Sequence, residues 1–336
     1  MNAATNGYKL RDALWRILVR LSLTAHKLLR IGLSVIVVAS LAAYFGGWLK
    51  VFEFASQLRL QFLVGAIGCL VFTLSKREWR WSGVALLGIA LNFWPIASWY
   101  VPKSQAIHST RRLKLVQYNV FYYNNHYRGV MDFLRAEQPD IVTMQEITSD
   151  WVEGLAPLSA EFLEHRAVPE ARGSGIAIYS RIKFDQAETL VLSQDQRPNL
   201  LVKFHWEGRP VSLLTTHPQN PFGKNRFEWR NELLHNAANL LNSLSTPKIL
   251  IGDLNITMWS PYYQKLVNNT QLVNAREGYG LLPTWNARFR LPFLMIPIDH
   301  CLVSRDIEVA AIRTGPKLGS DHLPLIIELV IPTTQN

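Results

Sequence analysis

The stretch Lys248-Ile-Leu-Ile-Gly-Asp-Leu-Asn255 predicts a buried β-strand that breaks at a glycine and ends in polar side chains. Asp253 and Asn255 are two residues apart, so in an extended chain they point to the same side. A carboxylate beside an amide at a strand end can hold a water molecule and a phosphoryl oxygen together. A turn or a helix cap uses the same residue types, so this stretch alone leaves both interpretations open.

Two other apolar runs also end in polar side chains. Residues 141–145 are followed by Glu146, and the run 113–120 contains Asn119 near its end. A glutamate in such a place can be offered to a hard cation such as Mg²⁺, which takes oxygen ligands and keeps several waters. Asn119 offers an oxygen ligand or supports one. A solvated Glu146 and a turn at Asn119 are the alternatives.

Two histidines and a buried aspartate extend this polar set. His217 lies just past an apolar run at 211–216. Asp299 lies inside an apolar strand, where an unpaired charge is costly, so it needs a partner such as His322. An Asp–His pair orients and charges an imidazole for base chemistry near pH 7. Each feature is weak by itself, but together they point to one active site at the strand ends.

Short apolar runs predict the strands of a globular α/β domain. They lie at 113–120, 141–145, 175–179, 199–205, 211–216, 248–251, 298–303 and 323–329. Two amphipathic helices are predicted at about 127–137 and 225–244, and Pro139 and Pro247 stop them. Strands outnumber helices and are often consecutive, which favours a mixed or antiparallel sheet.

The order of these residues resembles the endonuclease/exonuclease/phosphatase superfamily. The motifs that carry the resemblance are Gly252-Asp-Leu-Asn255, Ile298-Asp-His300, Ser320-Asp-His322, Gln145-Glu146 and Tyr118-Asn119. The resemblance covers about residues 111–330 and implies a four-layer α/β sandwich, in which two mainly antiparallel sheets lie face to face between helices. It also implies divalent-metal-dependent cleavage of a phosphate ester.

The resemblance implies a metal site. Glu146 is expected to be the main ligand of Mg²⁺ or Mn²⁺, and Asn119 and Asp321 are expected to complete or support the coordination shell.

The resemblance also implies catalytic roles. Asp253 is expected to orient or deprotonate the attacking water, and Asn255 to hold a phosphoryl oxygen. His322, paired with Asp299, is expected to act as a base or as a positive clamp on the phosphate. His217 is expected to stabilise the charge that develops on the pentavalent phosphorus.

Two loops are candidates for the substrate rim. Arg288 and Arg290 flank Phe289 in the loop before the Asp299 strand, and Arg226 closes a similar loop after His217. Such basic–aromatic loops can hold substrate phosphate or touch a membrane surface. A solvated loop with one packed aromatic ring is the alternative.

The first hundred residues differ from the rest of the chain. They hold 11 Lys/Arg against 3 Asp/Glu, so they carry +8 of the total net charge of +10. Their apolar runs at about 31–49, 55–75 and 81–102 suit transmembrane helices, which need roughly 17–25 residues. The second run reaches that length only if Arg59 snorkels. One or two spans with a buried soluble helix is the alternative.

The flanking charges predict an orientation in the membrane. Basic residues concentrate in residues 1–30 and in the second loop at 76–80, so the positive-inside rule places both in the cytoplasm. Residues 8–30 suit either a basic amphipathic helix on the inner leaflet or a plain helical extension. Three spans leave the catalytic domain, 103–336, outside the cytoplasm of an inner-membrane protein. The anchor looks like the membrane-bound bacterial branch of the superfamily.

The expected function is that of a membrane-anchored phosphoesterase with the lipid bilayer as its partner. Residues 101–336 carry only +2 and so offer no broad basic surface, which weighs against a nuclease that grips duplex DNA. A lipid or a nucleic acid remains open as the phosphoester substrate. A membrane-tethered nuclease and a catalytically inactive membrane scaffold are the alternatives. The two cysteines exclude a disulfide framework and a four-cysteine zinc site.

Overall fold

Two β-sheets lie face to face in this computed structural model, and helices cover the outer face of each sheet. The structure describes residues 24–102, 111–289 and 291–332. The predicted four-layer α/β sandwich is therefore confirmed. The predictions for residues 1–23 and for Arg290 lie outside the described residues.

Twelve strands are assigned among the described residues. They are β1 (Leu113–Asn119), β2 (Ile141–Gln145), β3 (Glu164–Val168), β4 (Ile176–Ser180), β5 (Phe184–Val191), β6 (Pro198–Trp206), β7 (Arg209–Thr215), β8 (Lys248–Asp253), β9 (Val273–Asn274), β10 (Asp299–Val303), β11 (Glu308–Thr314) and β12 (Leu325–Val330). The first sheet has the order β11-β12-β1-β2-β4-β3, and the second has the order β5-β6-β7-β8-β10-β9.

The helices fall into two groups along the chain. The amino-terminal group is α1 (Thr24–Phe45, ending in a 3-10 turn), α2 (Lys50–Ser56), α3 (Arg59–Ser75) and α4 (Trp79–Ala97). The helices of the sandwich are α5 (Tyr127–Glu137), α6 (Ser149–Gly154), α7 (Ala156–Ser159), α8 (Arg226–Ser243) and α9 (Pro261–Thr270).

In the described residues, each sheet holds one parallel strand pair in its middle. These pairs are β1–β2 and β7–β8, whereas the other pairings are antiparallel. A parallel connection requires a crossover, which α5 supplies in the first sheet and α8 in the second. The carboxyl ends of both strands in a parallel pair lie at one edge of the sheet. Polar residues that follow these strands are thereby brought together.

The apolar core forms because strand side chains alternate between two faces. Leu113 and Leu115 of β1 point between the sheets, where Ile251 and Cys301 of the second sheet also lie. Val116 of the same strand points outward instead, towards the helices α5, α6 and α7. Because of this alternation, Asn119 lies on the same side of β1 as Leu113 and Leu115 and points towards the second sheet.

The long amino-terminal helices agree only in part with the three predicted spans. Thr24–Phe45 and Trp79–Tyr100 are each 22 residues long and apolar enough to cross a membrane. The segment predicted as the second span is a pair, α2 and α3, whose axes are bent by 67°. A third crossing therefore exists only if this bent pair serves as one span.

Arg59, whose snorkelling the second predicted span requires, is buried within the helix group. Its side chain is buried, its guanidinium lies 4.4 Å from the ring centroid of Tyr44, and its Nη1 donates to the carbonyl of Leu91 at 3.3 Å. The hydroxyl of Tyr44 donates to the same carbonyl at 2.7 Å. Pro95 has no N–H to offer this carbonyl within α4. Arg59 and Tyr44 therefore supply the missing donors, which an apolar helix bundle needs.

The two ends of this helix group have different neighbours. At one end, His26 and Arg30 of α1 contact Glu78 at 2.8 and 3.1 Å, just before α4. At the other end, the carbonyl of Pro95 accepts a hydrogen bond from Trp259 Nε1 at 2.9 Å, and the carbonyl of Trp99 accepts from the backbone N–H of Gly280 at 2.9 Å. The sandwich therefore sits at the end opposite to Glu78.

A buried ion pair joins α2 to the sandwich. Glu53 Oε1 lies 3.4 Å from Arg230 Nη2 of α8, and both side chains are fully buried. Phe54 stacks on Phe222 with ring centroids 5.1 Å apart. Gln57 Oε1 also accepts a hydrogen bond from a backbone N–H of the sandwich. These contacts fix the orientation of the sandwich on the helix group.

Replacement of Arg230 by methionine (Arg230→Met) should destabilise the full-length protein, because the buried carboxylate of Glu53 loses its counter-charge. The expected cost is about 3–5 kcal/mol, measurable as a lower thermal midpoint in detergent. The double variant Glu53→Gln, Arg230→Met should recover most of the loss because no unpaired charge remains. A single variant as stable as the wild type would contradict the assigned ion pair.

Candidate active site

The predicted residues meet where the carboxyl ends of the central parallel strands lie; this side of the sandwich is called the edge. Asn119 and Asp253 are the last residues of β1 and β8, and Glu146 directly follows β2. Asn119 Nδ2 donates to Glu146 Oε1 and to Asp253 Oδ2, at 3.0 Å in each case. The side-chain amide of Asn119 thus links the Glu146 carboxylate of the first sheet to the Asp253 carboxylate of the second sheet.

The backbone around Glu146 is built to present its carboxylate. The residue has a left-handed φ of 64°, and its Oε2 accepts a hydrogen bond from the backbone N–H of Tyr122 at 3.2 Å. Gly173 lies so close that a Cβ there would stand 3.3 Å from the carboxylate carbon. Glu146 is half-buried and so remains reachable from solvent. These features suit a cation ligand at the mouth of the site.

Gly252 lets β8 bring Asp253 into the site. A Cβ at this position would stand 2.1 Å from the carbonyl oxygen of Thr216, so only glycine allows this approach. The same approach places His217, the next residue, against the aspartate, with Nε2 at 3.5 Å from Asp253 Oδ2. Asp253 therefore lies between Asn119, at the end of β1, and His217, which follows β7.

Asp299 and His322 form the predicted pair. His322 Nδ1 lies 2.8 Å from Asp299 Oδ2, and its Nε2 faces Asp253 Oδ2 at 3.6 Å. All three side chains are buried. Burial opposes the charged imidazole, but the charges of Asp299 and Asp253 outweigh it and raise the pKa of His322 to about 10. The ring is therefore an imidazolium at neutral pH.

Asp253 stays ionised in the same surroundings. Its burial would raise the pKa, but the charge of His322 and the hydrogen bond from His217 outweigh burial and lower it. Its Oδ1 also accepts a hydrogen bond from the backbone N–H of Asn255 at 2.9 Å. An ionised, buried carboxylate can align a water molecule as a hydrogen-bond acceptor.

Asn255 lies just past the end of β8 with a left-handed φ of 51°, and its backbone N–H contacts Asp253. Its Nδ2 donates to the carbonyl of Pro218 at 3.0 Å, and its own carbonyl accepts from Arg230 Nη1 at 3.4 Å. Asp321 lies in the loop before β12 and is half-buried, and its Oδ2 accepts from Trp285 Nε1 at 3.3 Å. All eight predicted site residues are thus placed along one edge, and their roles stay predictions.

Two donor sets in the site suit a divalent cation. The first is the half-exposed carboxylate of Glu146 with Asn119 and Asp321 nearby. The second is the buried group Asp253, Asp299 and His322, whose ligand atoms lie within 4.8 Å of one another. A metal in the second set would have to displace the proton that joins His322 to Asp299. The first set is reachable from solvent and has no such proton to displace, so it fits a hard cation better.

Two polar residues, Gln117 and Arg197, touch the site but are absent from the sequence prediction. Gln117 Nε2 donates to Asp299 Oδ1 at 2.7 Å. Arg197 Nη1 lies 3.3 Å from His217 Nδ1. Because a guanidinium can only donate, Nδ1 is the acceptor and the ring proton sits on Nε2, which faces Asp253. Both residues therefore orient predicted site residues.

The basic rim residues lie near the mouth. Arg288 places its guanidinium 4.9 Å from the ring centroid of Phe121, whose backbone N–H donates to Asn119 Oδ1 at 3.0 Å. Arg226 begins α8, and its Nη1 donates to Asn220 Oδ1 at 3.4 Å. Neither arginine has a carboxylate among these contacts.

Residues 116–322 match the profile of the endonuclease/exonuclease/phosphatase family, so the chain belongs to that family. Members of the family are metal-dependent hydrolases of phosphoester bonds. Among curated protein sequences, none matches the chain significantly.

Solved structures share the fold. D. rerio TDP2, complexed with a single-strand DNA product, is 18% identical, with a TM-score of 0.54 and coverage of 65% of this chain and 99% of TDP2. The human nocturnin catalytic domain with bound sulfate is 18% identical, with a TM-score of 0.54 and coverage of 66% and 95%. An endonuclease/exonuclease/phosphatase from Bacteroides vulgatus is 18% identical, with a TM-score of 0.55 and coverage of 66% and 100%. At such identities the likeness shows the fold alone.

His300, next to Asp299, has a structural place instead of a catalytic one. Its Nε2 donates to the carbonyl of Ile256 at 2.8 Å, and Asn274 Nδ2 lies 3.1 Å from its Nδ1. Burial and the charge of Arg276 lower the pKa of His300 to about 3. The ring is therefore neutral in the folded protein.

This lowered pKa should make the fold less stable in mild acid. Above the unfolded pKa of about 6.5, a neutral His300 takes nothing from the free energy of unfolding. As the pH falls from there towards 3, the unfolded chain binds a proton that the folded protein does not, so the free energy of unfolding decreases. The expected loss is about 2 kcal/mol at pH 5, which lowers the thermal midpoint relative to pH 7. In the variant His300→Gln this pH difference should shrink. An unchanged difference would rule out His300 as its source.

Proposed function

We propose that this chain is a membrane-anchored, divalent-metal-dependent phosphoesterase whose catalytic sandwich lies outside the cytoplasm. The observation that carries the proposal is the single amide of Asn119 that links Glu146 to Asp253. It brings a candidate metal ligand and a candidate water-orienting group within one hydrogen-bonded unit. The family of the chain supports the hydrolysis of a phosphate ester.

Glu146 would hold Mg²⁺ or Mn²⁺, with Asn119 and Asp321 in support. A bound cation of this kind neutralises charge on phosphoryl oxygens and polarises the bond that breaks. Asn119 directs Nδ2 towards Glu146, while its Oδ1 accepts from the backbone N–H of Phe121. That orientation favours support of the carboxylate over direct ligation by the amide oxygen.

Asp253 would orient the attacking water. Its lowered pKa keeps it a carboxylate at neutral pH but makes it a weak proton acceptor, so alignment is favoured over full deprotonation. Asp299 and Asp253 raise the pKa of His322 and keep its ring protonated. His322 would therefore serve as the positive clamp on phosphate instead of the base. His217, beside Asp253, and Asn255, which follows it, would bind oxygens on which charge develops.

The helix group supports an anchor in the predicted orientation. His26 and Arg30 lie with Glu78 at one end, next to Lys76, Arg77 and Arg80 in the sequence, and the sandwich lies at the other end. The positive-inside rule then favours a cytoplasmic amino terminus and an extracytoplasmic sandwich at 103–336. This topology needs the bent pair α2–α3 to act as one span.

The alternatives make different predictions for the same site. A membrane-tethered nuclease would use the same residues on nucleic acid. A catalytically inactive scaffold would have no need of a buried Asp–His–Asp arrangement, because the desolvation of its charged groups is costly. The buried network of Asp299, His322 and Asp253 therefore favours an enzyme.

The test is the hydrolysis of bis(4-nitrophenyl) phosphate, a soluble diester, by the full-length protein in detergent. Turnover should require Mg²⁺ or Mn²⁺ and stop with a chelator. Asp253→Asn should lower kcat by about 10²–10⁴-fold because the water loses its acceptor. The matched control Asp185→Asn alters an exposed aspartate that pairs with His205, and it should act like the wild type. Chelator-resistant turnover, or full activity of Asp253→Asn, would refute the proposal.

A further inference from the structure

Two loops at the mouth of the site expose large apolar side chains to solvent. The first loop, residues 218–225, exposes Phe222, which is 65% accessible. The second, with described residues 286–289 and 291–295, exposes Phe289, Leu291, Phe293 and Leu294. Together these five side chains are called the apolar rim. Exposed apolar groups that cluster around a site mark a surface for a partner or a membrane.

The second loop starts at the catalytic residues. Trp285, just before it, forms β-bridges with Ile296 and with His322. The backbone N–H of Ala287 donates to the carbonyl of Asp321 at 2.7 Å. The apolar rim is therefore attached directly to the loop that carries Asp321 and His322.

The same loop ends on the helix group. Gln61, in the first turn of α3, donates through Nε2 to the carbonyl of Phe293 at 2.9 Å and to the carbonyl of Met295 at 3.2 Å. The first loop reaches the same region, because Phe222 stacks on Phe54 of α2. In the proposed topology, with α2–α3 as one span, residues that contact α2 and the start of α3 lie at the depth of the bilayer surface. The apolar rim is therefore continuous with the membrane anchor.

Positive charges accompany the apolar rim. Arg288 stands next to Phe289, with its guanidinium 4.9 Å from the Phe121 ring near the mouth. Lys50 of α2 holds its Nζ 4.9 Å from the ring centroid of Phe227, in the first turn of α8 just after the first loop. Apolar side chains with interspersed cations suit a surface of anionic phospholipid. The low net charge of the sandwich, +2, gives no comparable footprint for a nucleic acid.

We propose that the phosphoester substrate is a membrane lipid, taken from the bilayer in which the chain is anchored. This inference rests on the proposed function and names the substrate class of that site. The apolar rim enters the outer surface of the bilayer and brings a lipid headgroup between Glu146 and His322. Water supplies the oxygen that bonds to phosphorus, and the phosphorus–oxygen bond to the leaving alcohol breaks. A proton from that water ends on the leaving oxygen, so no further reactant is needed.

The first experiment compares substrates for the full-length protein reconstituted into vesicles. The vesicles contain phosphatidylcholine with phosphatidylglycerol, phosphatidic acid or sphingomyelin, and separate arms offer bis(4-nitrophenyl) phosphate, single-stranded DNA, duplex DNA and RNA. We expect metal-dependent turnover of at least one bilayer lipid. Cleavage of nucleic acid without turnover of any lipid would overturn this inference and leave the proposed function standing. Absence of turnover on every arm would overturn the proposed function and this inference with it.

A matched pair of variants tests the apolar rim. In Phe289→Ser, lipid turnover should fall about tenfold relative to turnover of the soluble diester, because a buried phenyl ring is lost from the lipid surface. Leu291→Ser should behave alike. Leu163→Ser, which changes an exposed leucine just before β3 of the other sheet, should leave that ratio at the wild-type value. An unchanged ratio in both rim variants would overturn the inference.

Membrane contact can be read without activity. A fluorophore attached to Phe289→Cys, in a Cys69→Ala background, should be quenched by doxyl-labelled lipids in the reconstituted vesicles. The same label at Leu163→Cys should not be quenched. Equal quenching at the two positions, or none at either, would contradict a rim that enters the bilayer.

Discussion

The site depends on the hydrogen bonds that Asn119 gives to Glu146 and Asp253. Two carboxylates in one cleft repel each other, and a neutral amide that donates to both allows them to approach. The geometry follows from the sheets, because each contributes a central parallel pair whose carboxyl ends point to the shared edge. The other charged groups are arranged around this bridge, with His322 and His217 both facing Asp253.

The sequence predicts the interior of the sandwich better than its borders. The strands β1, β2, β4, β6, β7, β8, β10 and β12 lie where apolar runs predict them. The four strands without a prediction are β3, β5, β9 and β11, and these are the edge strands of the two sheets. Edge strands are half exposed and carry charged side chains, as in Phe184–Val191, so they lack an apolar run.

The same distinction holds for the site. Residues at strand ends are predictable because polar groups interrupt apolar runs, and the structure brings those residues together. The sequence contains a signal that could have predicted Gln117 as a site residue. It is a polar residue on the face of β1 that Leu113, Leu115 and Asn119 share. Arg197 had none, because it stands before β6 and not at the carboxyl end of an apolar run. The buried place of Arg59 had no local signal, because its partner is the carbonyl of Leu91 in another helix, which Pro95 leaves without a donor.

The helix group also contacts the sandwich that carries the site. Arg230 joins the two, because it pairs with Glu53 of α2 and donates to the carbonyl of Asn255. Ile96 and Trp99 pack with the core that α8 and α9 form on the second sheet. The predicted boundary at residue 102 therefore falls between segments that share a core. A fragment without the helices would expose that core and leave Arg230 without Glu53.

The proposed metal site at Asn119 should bind a divalent cation through Glu146. Electron paramagnetic resonance of Mn²⁺ with the full-length protein in detergent can measure this binding, since Mn²⁺ is a spectroscopic stand-in for Mg²⁺. We expect that Mn²⁺ binds to the wild type, that Glu146→Gln weakens this binding at least about tenfold, and that Asp299→Asn retains it. Loss of binding in Asp299→Asn with full binding in Glu146→Gln would refute Glu146 as the ligand and assign the metal to the buried Asp253–Asp299–His322 group.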